Sequence, residues 1–74
     1  MNFFPKTYLS FLVFDEAGEY WGLCELLWDY WAFYPREGLK GPAWALGQTP
    51  ADAFENWKIM YERGGGKVGS VGSS

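Results

Sequence analysis

The side chains that could carry out acid–base or nucleophilic chemistry are few and scattered in this sequence. The chain of 74 residues has no histidine and a single cysteine, Cys24, and three of its four serines lie among the last five residues. Nucleophilic catalysis needs a hydroxyl or thiol placed beside a general base, so no catalytic triad can be assembled. Cys24 lies in an apolar run, which predicts a buried thiol without a reactive role. We therefore expect no enzymatic activity and no catalytic residue.

Metal and cofactor sites also lack their usual sequence signals. Zinc sites are built from several histidines and cysteines, which this composition does not provide. The glycines within residues 38–47 are too widely spaced for a phosphate-binding loop, and the glycines at residues 64–66 follow a predicted helix, whereas nucleotide loops precede one. Glu25 and Asp29 have the chemistry of an acid–base pair, but solvated surface carboxylates explain them better. The sequence predicts no metal site and no cofactor.

The charge balance disfavours a nucleic-acid partner. The chain has nine acidic and six basic side chains, for a formal net charge of −3. Phosphate binding needs a clustered basic surface, whereas Lys6, Arg36 and Lys40 are interspersed with acidic residues. We expect no direct contact with nucleic acid, and an acidic surface of this kind suits a partner protein with a basic surface.

Aromatic side chains provide the positive functional signal. They make up 22% of the chain, and each one brings roughly 150–250 Å² of contact area, so some must remain at the surface of so small a core. Residues 28–34 contain five of them, and alternate residues of an extended segment face outward. Large aromatics flanked by charge are typical of protein interfaces. The predicted partner-binding residues are Trp28, Trp31, Tyr34, Glu25, Asp29 and Glu37. The alternative is that the helix or the tail covers this segment.

The cysteine content and the N-terminus bear on the compartment. A lone cysteine excludes an intramolecular disulfide and indicates no adaptation to an oxidising environment. The N-terminus has no signal-peptide pattern, and no run reaches the roughly 18 apolar residues of a membrane span. We expect a cytoplasmic protein that neither enters nor binds a membrane.

Two strands and the turn between them are predicted in the first third of the chain. Residues 7–14 are β-branched and aromatic, with Leu9, Phe11 and Val13 on one face by the two-residue period. Residues 15–18, Asp-Glu-Ala-Gly, predict a type I turn closed by a bulge. An antiparallel strand over residues 19–27 would follow. Its two faces would consist of Trp21, Leu23, Glu25 and Leu27 on one side and Tyr20, Gly22, Cys24 and Leu26 on the other. Trp21, Cys24, Leu27, Trp28 and Trp31 also fit helical spacing, so strand or helix stays open over residues 19–34.

The second half of the chain is predicted to end in a helix. Residues 29–40 are rich in turn residues and predict a hairpin tip or a long loop. Residues 43–48 predict a short strand with Trp44 and Leu46 on one face. Thr49 as the N-cap and a proline at the first helical position predict a helix over residues 50–63. Its buried stripe consists of Ala53, Phe54, Trp57, Met60 and Tyr61.

Together these elements predict one α+β domain over residues 1–63. It would have a three- or four-stranded antiparallel sheet with one C-terminal helix packed on it. Residues 64–74 are Gly- and Ser-rich, cannot bury enough apolar surface to fold, and are predicted to be a disordered tail.

The order of a hairpin, a third strand and a helix resembles antitoxin domains of the HicB type. The resemblance is carried by the hairpin at residues 15–21 and by the helix start at residues 47–56, Gly-Gln-Thr-Pro-Ala-Asp-Ala-Phe-Glu-Asn. Residues 28–42 would be an insertion, and the strand that follows the helix in that family has no counterpart. The resemblance implies a degenerate ribonuclease-H-like or double-stranded-RNA-binding-like β-β-β-α module without catalytic carboxylates.

These observations favour a small non-enzymatic inhibitor or antitoxin-like protein that binds a basic surface of a partner protein. By analogy, the chain is similar to small acidic phage inhibitors such as anti-CRISPR proteins, which would act in the host cytoplasm. A structural subunit of a larger assembly is the first alternative, and an RNA-binding domain is the second. A homodimer also stays open.

Overall fold

The computed structural model describes residues 1–64, which form one antiparallel sheet followed by one α-helix. In chain order the elements are β1 (Asn2–Thr7), β2 (Ser10–Phe14), β3 (Tyr20–Leu27), β4 (Tyr30–Pro35), β5 (Ala45–Gly47) and α1 (Pro50–Arg63). The five strands also lie side by side in this order. The predicted α+β class and the predicted helix bounds are confirmed, and the sheet has one strand more than the four allowed for. The predicted tail lies outside the described residues, apart from Gly64 at the end of the helix.

The first strand of the sheet is one that the sequence did not predict. Residues 7–14 were expected to form a single strand, and this is wrong at its start, because Thr7 ends β1 and Ser10 begins β2. Leu9 lies in the turn between them, where its backbone N–H donates to Thr7 Oγ1 at 3.1 Å. β1 contains Pro5, which interrupts most strands but is tolerated here because β1 is an edge strand.

The turn between β2 and β3 is organised by Asp15, as the Asp-Glu-Ala-Gly pattern predicted. Gly18 adopts a positive φ of 87° and donates its N–H to the Asp15 carbonyl at 3.0 Å. The buried Asp15 carboxylate accepts hydrogen bonds from the backbone N–H groups of Glu19 (2.8 Å) and Ala17 (2.9 Å) and from the Trp21 indole (3.2 Å). The bonds from Glu19 and Trp21 are the main reason that the pKa of Asp15 is lowered.

A β-bulge next to this turn reverses the predicted faces of two aromatic residues. Val13 lies opposite Gly22, but Phe14 lies opposite Tyr20, which leaves Trp21 as the extra residue. Trp21 turns toward the helix, and Tyr20 toward the other face of the sheet, next to Phe14. Strict alternation along β3 predicted otherwise, because a bulge shifts the two-residue period by one position.

The aromatic segment after β3 is a strand, and the prediction of a loop over residues 29–40 is wrong for its first half. β4 pairs with β3 along its whole length, from Leu27 opposite Tyr30 to Gly22 opposite Pro35. The alternative of a helix over residues 19–34 is therefore excluded. β5 covers the middle of the predicted strand at residues 43–48 and pairs with β4.

The helix is capped and packed much as its sequence indicates. Thr49 Oγ1 accepts a hydrogen bond from the Asp52 N–H at 3.0 Å. Ala53, Phe54 and Trp57 are buried against the sheet. Met60 was expected on this buried stripe, but it is 50% exposed, because it lies at the margin of the face that meets the sheet.

Trp57 is the centre of the core. It is fully buried, and its ring lies 5.1 Å from that of Phe33 and stacks on Tyr61 at 4.6 Å. Its indole N–H donates to the carbonyl of Pro42 at 2.9 Å. One side chain thus connects the helix to β4 and to the connection between β4 and β5.

The cap and the core make different contributions to stability. We expect Thr49→Ala to lower the free energy of unfolding by about 1 kcal/mol, because one capping hydrogen bond is lost. We expect Trp57→Ala to lower it by about 3–5 kcal/mol, because a large aromatic is replaced by a cavity. Urea denaturation followed by circular dichroism measures both. Equally small losses would contradict the packing of the helix on the sheet.

Asp15 should make stability depend on pH in the acid range. Its folded-state pKa is below the ordinary value of 3.8, so the unfolded chain takes up this proton first as pH falls. The contribution of Asp15 to the free energy of unfolding is complete above its ordinary pKa, and it is lost as the pH falls through its folded-state pKa. We expect Asp15→Asn to lower the melting temperature at pH 7. Below about pH 4, the melting temperature of this variant should decrease less steeply with falling pH than that of the wild type. Glu37→Gln, at an exposed position, is the control, and equal acid slopes for both variants would contradict the assignment.

Candidate functional site

The sheet has two faces, and the helix covers only one of them. Helix α1 packs against β3, β4 and β5, through the face that carries Val13, Cys24 and Phe33. We call this the helix face. On the opposite side, which we call the open face, no helix or strand of residues 1–64 is packed.

The open face is built from aromatic and aliphatic side chains that alternate with those of the core. Strand pairing places Phe4 opposite Leu12, Leu12 opposite Leu23, and Leu23 opposite Tyr34, which gives a row across four strands. Beside it, the Phe14 ring lies 5.5 Å from that of Phe4. The open face comprises Phe4, Leu12, Phe14, Tyr20, Leu23, Glu25, Leu27, Tyr30, Ala32, Tyr34, Trp44 and Leu46.

Much of this apolar surface is exposed. Trp44 is 54% exposed, and Phe4 and Tyr30 are each 52% exposed. With each aromatic presenting roughly 150–250 Å² in full, the exposed apolar area of the face is on the order of 500 Å². This is close to the upper end of the 300–600 Å² typical of the largest patch on a monomeric protein, a size often linked to function. The open face is the candidate functional site.

Glu25 is a charged side chain within the otherwise apolar central strands of the open face. It lies opposite Ser10 on β2 and opposite Ala32 on β4, both of which are buried. Glu25 forms no ion pair within residues 1–64. The open face therefore carries a carboxylate that no ion pair within residues 1–64 neutralises.

Two of the positive charges around the open face form ion pairs with acidic side chains. Arg36 donates to the carbonyl of Tyr20 at 2.8 Å and pairs with Glu19 at 3.3 Å, so its charge is compensated. The α-amino group of Met1 pairs with Glu16 at 2.7 Å. These two cations are thus paired with acids, whereas Lys6 on β1 and Glu25 on β3 form no ion pairs within residues 1–64.

Of the six predicted partner-binding residues, two share the open face and one is excluded from it. Glu25 and Tyr34 lie on neighbouring strands of the open face. Trp31 lies on the helix face, with its ring 5.5 Å from that of Phe11. Because Trp31 and Tyr34 are three positions apart on one strand, they point to opposite sides of the sheet.

The other three predicted residues lie at the ends of β4. Trp28 and Asp29 form the turn between β3 and β4, and Glu37 lies just after β4, at its other end. Trp28 is 95% exposed, and its φ of 52° is unusual for a bulky residue. The six residues therefore do not form one site.

Several open-face residues were missed by the sequence prediction. Phe4 was missed because β1 was not recognised. Tyr30 was missed as well, although Tyr30 and Tyr34 alternate with Trp31 and Phe33, and this two-residue period could have placed Tyr30 on the same face as the predicted Tyr34. The shared face of Trp44 and Leu46 was predicted, but its functional relevance was not.

Cys24 is buried, as the sequence predicted, and faces away from the candidate site. Its Sγ donates to the carbonyl of Pro50 at 3.4 Å, and burial raises its pKa to about 12. The thiol is therefore protonated at neutral pH. Within the described part of the chain there is no group of three potential metal-ligating side chains. The single helix described is too short and too polar to span a membrane.

Comparisons with known proteins identified no relatives. No family model, no curated protein and no solved structure matches this chain. The resemblance to HicB-type antitoxins rests on residues 15–21 and 47–56 alone, so the function has to be argued from the geometry of the open face.

The backbone at Trp28 allows a test of whether this residue is present for stability. A bulky side chain at positive φ is disfavoured by about 1–2 kcal/mol, a penalty that glycine does not have. We expect Trp28→Gly to leave the free energy of unfolding unchanged or to raise it by about 1 kcal/mol. Tyr8→Gly, in the β1–β2 turn, is the control and should not stabilise the protein. If Trp28→Gly proves the more destabilising of the two, Trp28 has a structural role.

Proposed function

We propose that this protein is a non-enzymatic binding module that holds a partner protein against its open face and acts as an inhibitor or antitoxin-like protein. The observation that carries the proposal is the exposed aromatic and aliphatic surface opposite the helix. Burial of such a surface is the main driving force for protein association, and large aromatics commonly provide the anchoring contacts.

The edges of the sheet favour docking on the face over addition of a strand. The edge strand β1 contains Pro5 and Lys6 and has an irregular register at this point, features that discourage strand addition. At the other edge, β5 has three residues, and the Leu46 carbonyl accepts a hydrogen bond from the Asn56 side-chain amide at 2.7 Å. A partner would therefore meet the side chains of the open face.

The charge of the chain favours a basic partner. The net charge is −3, and Glu25, Asp29 and Glu37 form no ion pairs within the described residues. Carboxylates around an apolar contact accelerate association with a positively charged surface and suppress contacts with other acidic surfaces. This complementarity supports the inhibitor or antitoxin-like class, in which a small acidic protein occupies a functional basic surface of its target.

RNA binding is the second candidate, because a sheet with helical cover on one side and exposed aromatics on the other is the arrangement of RNA-recognition motifs. Such surfaces combine stacking aromatics with basic side chains. Here Glu25 lies within the open face, and Arg36 is engaged by Glu19. The charge therefore favours a protein over RNA.

The proposal predicts that exposed aromatics of the open face are needed for partner capture. We expect Tyr30→Ala combined with Trp44→Ala to weaken binding at least about 30-fold, because two anchoring contacts are lost. The control is Ile59→Ala combined with Met60→Ala, two partly exposed residues of the helix, which should retain binding. The measurement is affinity capture from an extract of the source organism, followed by titration of the captured protein.

Other outcomes of these measurements would contradict the proposal. Equal capture by both double variants would exclude the open face as the contact surface. Stable dimers of the wild-type chain in sedimentation, lost in the Tyr30→Ala, Trp44→Ala variant, would show that a second copy occupies the face. Quenching of tryptophan fluorescence by single-stranded oligonucleotides at low salt, lost in the same variant, would favour RNA.

A further inference from the structure

We propose that the open face contains a recess for an arginine side chain of the partner protein, in which Glu25 pairs with the guanidinium group. This inference rests on the proposed function, because it specifies what the partner must present to the open face. It is carried by the shape of the recess, by the position of Glu25 two residues from the lining residue Leu27, and by the aromatic rings that border the recess.

The recess lies over the β4–β5 side of the sheet. It is an apolar cleft of about 280 Å³ lined by Leu27, Tyr34, Trp44 and Leu46. Ala32 lies opposite Leu46 on β5 and opposite Glu25 on β3. Glu25 lies two residues before the lining residue Leu27 on β3, so the two side chains project from the same face of the sheet as neighbours.

The carboxylate of Glu25 is available to a partner. Ser10, its other cross-strand neighbour, has its hydroxyl 2.8 Å from that of Thr7 and is thus engaged elsewhere. A partner that covers the open face removes water from Glu25, and an unpaired buried charge strongly opposes association. A partner with a cation at this point avoids that penalty and gains a charge-assisted hydrogen bond.

The surroundings of Glu25 favour arginine over lysine. The planar guanidinium group can bond to a carboxylate through two N–H groups while its face stacks on an aromatic ring. Tyr34 and Trp44 line the recess, and cations bind over such rings. The compact ammonium group of lysine is more strongly hydrated and lacks the planar face.

Short peptides can test the recess without knowledge of the partner. The probes are acetyl-Leu-Arg-Leu-amide and acetyl-Leu-citrulline-Leu-amide, which have nearly the same shape but differ in charge. Titrated into the ¹⁵N-labelled full chain, the arginine peptide should shift the resonances of Glu25, Ala32 and the Trp44 indole. It should bind about tenfold or more tightly than the citrulline peptide.

Substitution of the carboxylate should remove the preference for charge. We expect Glu25→Gln to bind the arginine peptide no better than the citrulline peptide, while Glu62→Gln, at an exposed position of the helix, retains the wild-type preference. Glu25 is exposed, so the variant should fold, and its amide spectrum shows whether it does. A lysine peptide should bind more weakly than the arginine peptide in the wild-type chain.

The outcomes separate this inference from the proposed function. Equal binding of the arginine and citrulline peptides, no binding of either, or a preference retained in Glu25→Gln would overturn the arginine recess. If partner capture still depends on Tyr30 and Trp44, the open face remains the binding surface. Loss of that dependence would instead overturn the proposed function.

Discussion

The packing of Trp57 between the helix and the sheet is the interaction on which the rest of the structure depends. Its ring contacts Phe33 and Tyr61, and its indole bonds to the carbonyl of Pro42. A helix of 14 residues is about 21 Å long, and its buried side chains pack on one face of this sheet, against β3, β4 and β5. Since the described residues contain one helix, the position of Trp57 determines which face is core and which face is left to solvent.

The two faces use similar residue types for different purposes. On the helix face, Phe33, Phe54 and Trp57 contact one another through ring pairs 5.1–6.2 Å apart and exclude water. On the open face, Phe4, Tyr30 and Trp44 are about half exposed, and a carboxylate lies among them. Only a partner can bury that face, and the Glu25 carboxylate favours a partner that places a cation beside it. Stability and specificity are thus assigned to opposite sides of one sheet.

The helix and the β2–β3 turn could be predicted from the sequence because their signals are local. Thr49, Pro50 and Gly18 each act within a few positions of themselves. β4 was harder, because both of its faces are apolar and the alternation of polar and apolar residues that usually marks a strand is absent. β1 was missed because Pro5 is acceptable only at an edge, and edges are defined by the whole sheet. The site was predicted only in part, for the same reason. Glu25 and Tyr34 were identified, but the face of the sheet on which Trp31 lies depends on strand pairing and on the position of the helix.

The protected edges of the sheet have a consequence for stoichiometry. Polymers of β-sheet proteins grow when each added copy presents a new unpaired strand to the next one. Here Pro5 lies on one outer strand, and Asn56 occupies a backbone carbonyl on the other. Association through the open face buries that face and creates no equivalent surface on the helix side of the protein. Assemblies formed in this way are closed, with a fixed number of subunits, even at concentrations at which an exposed edge would produce fibres.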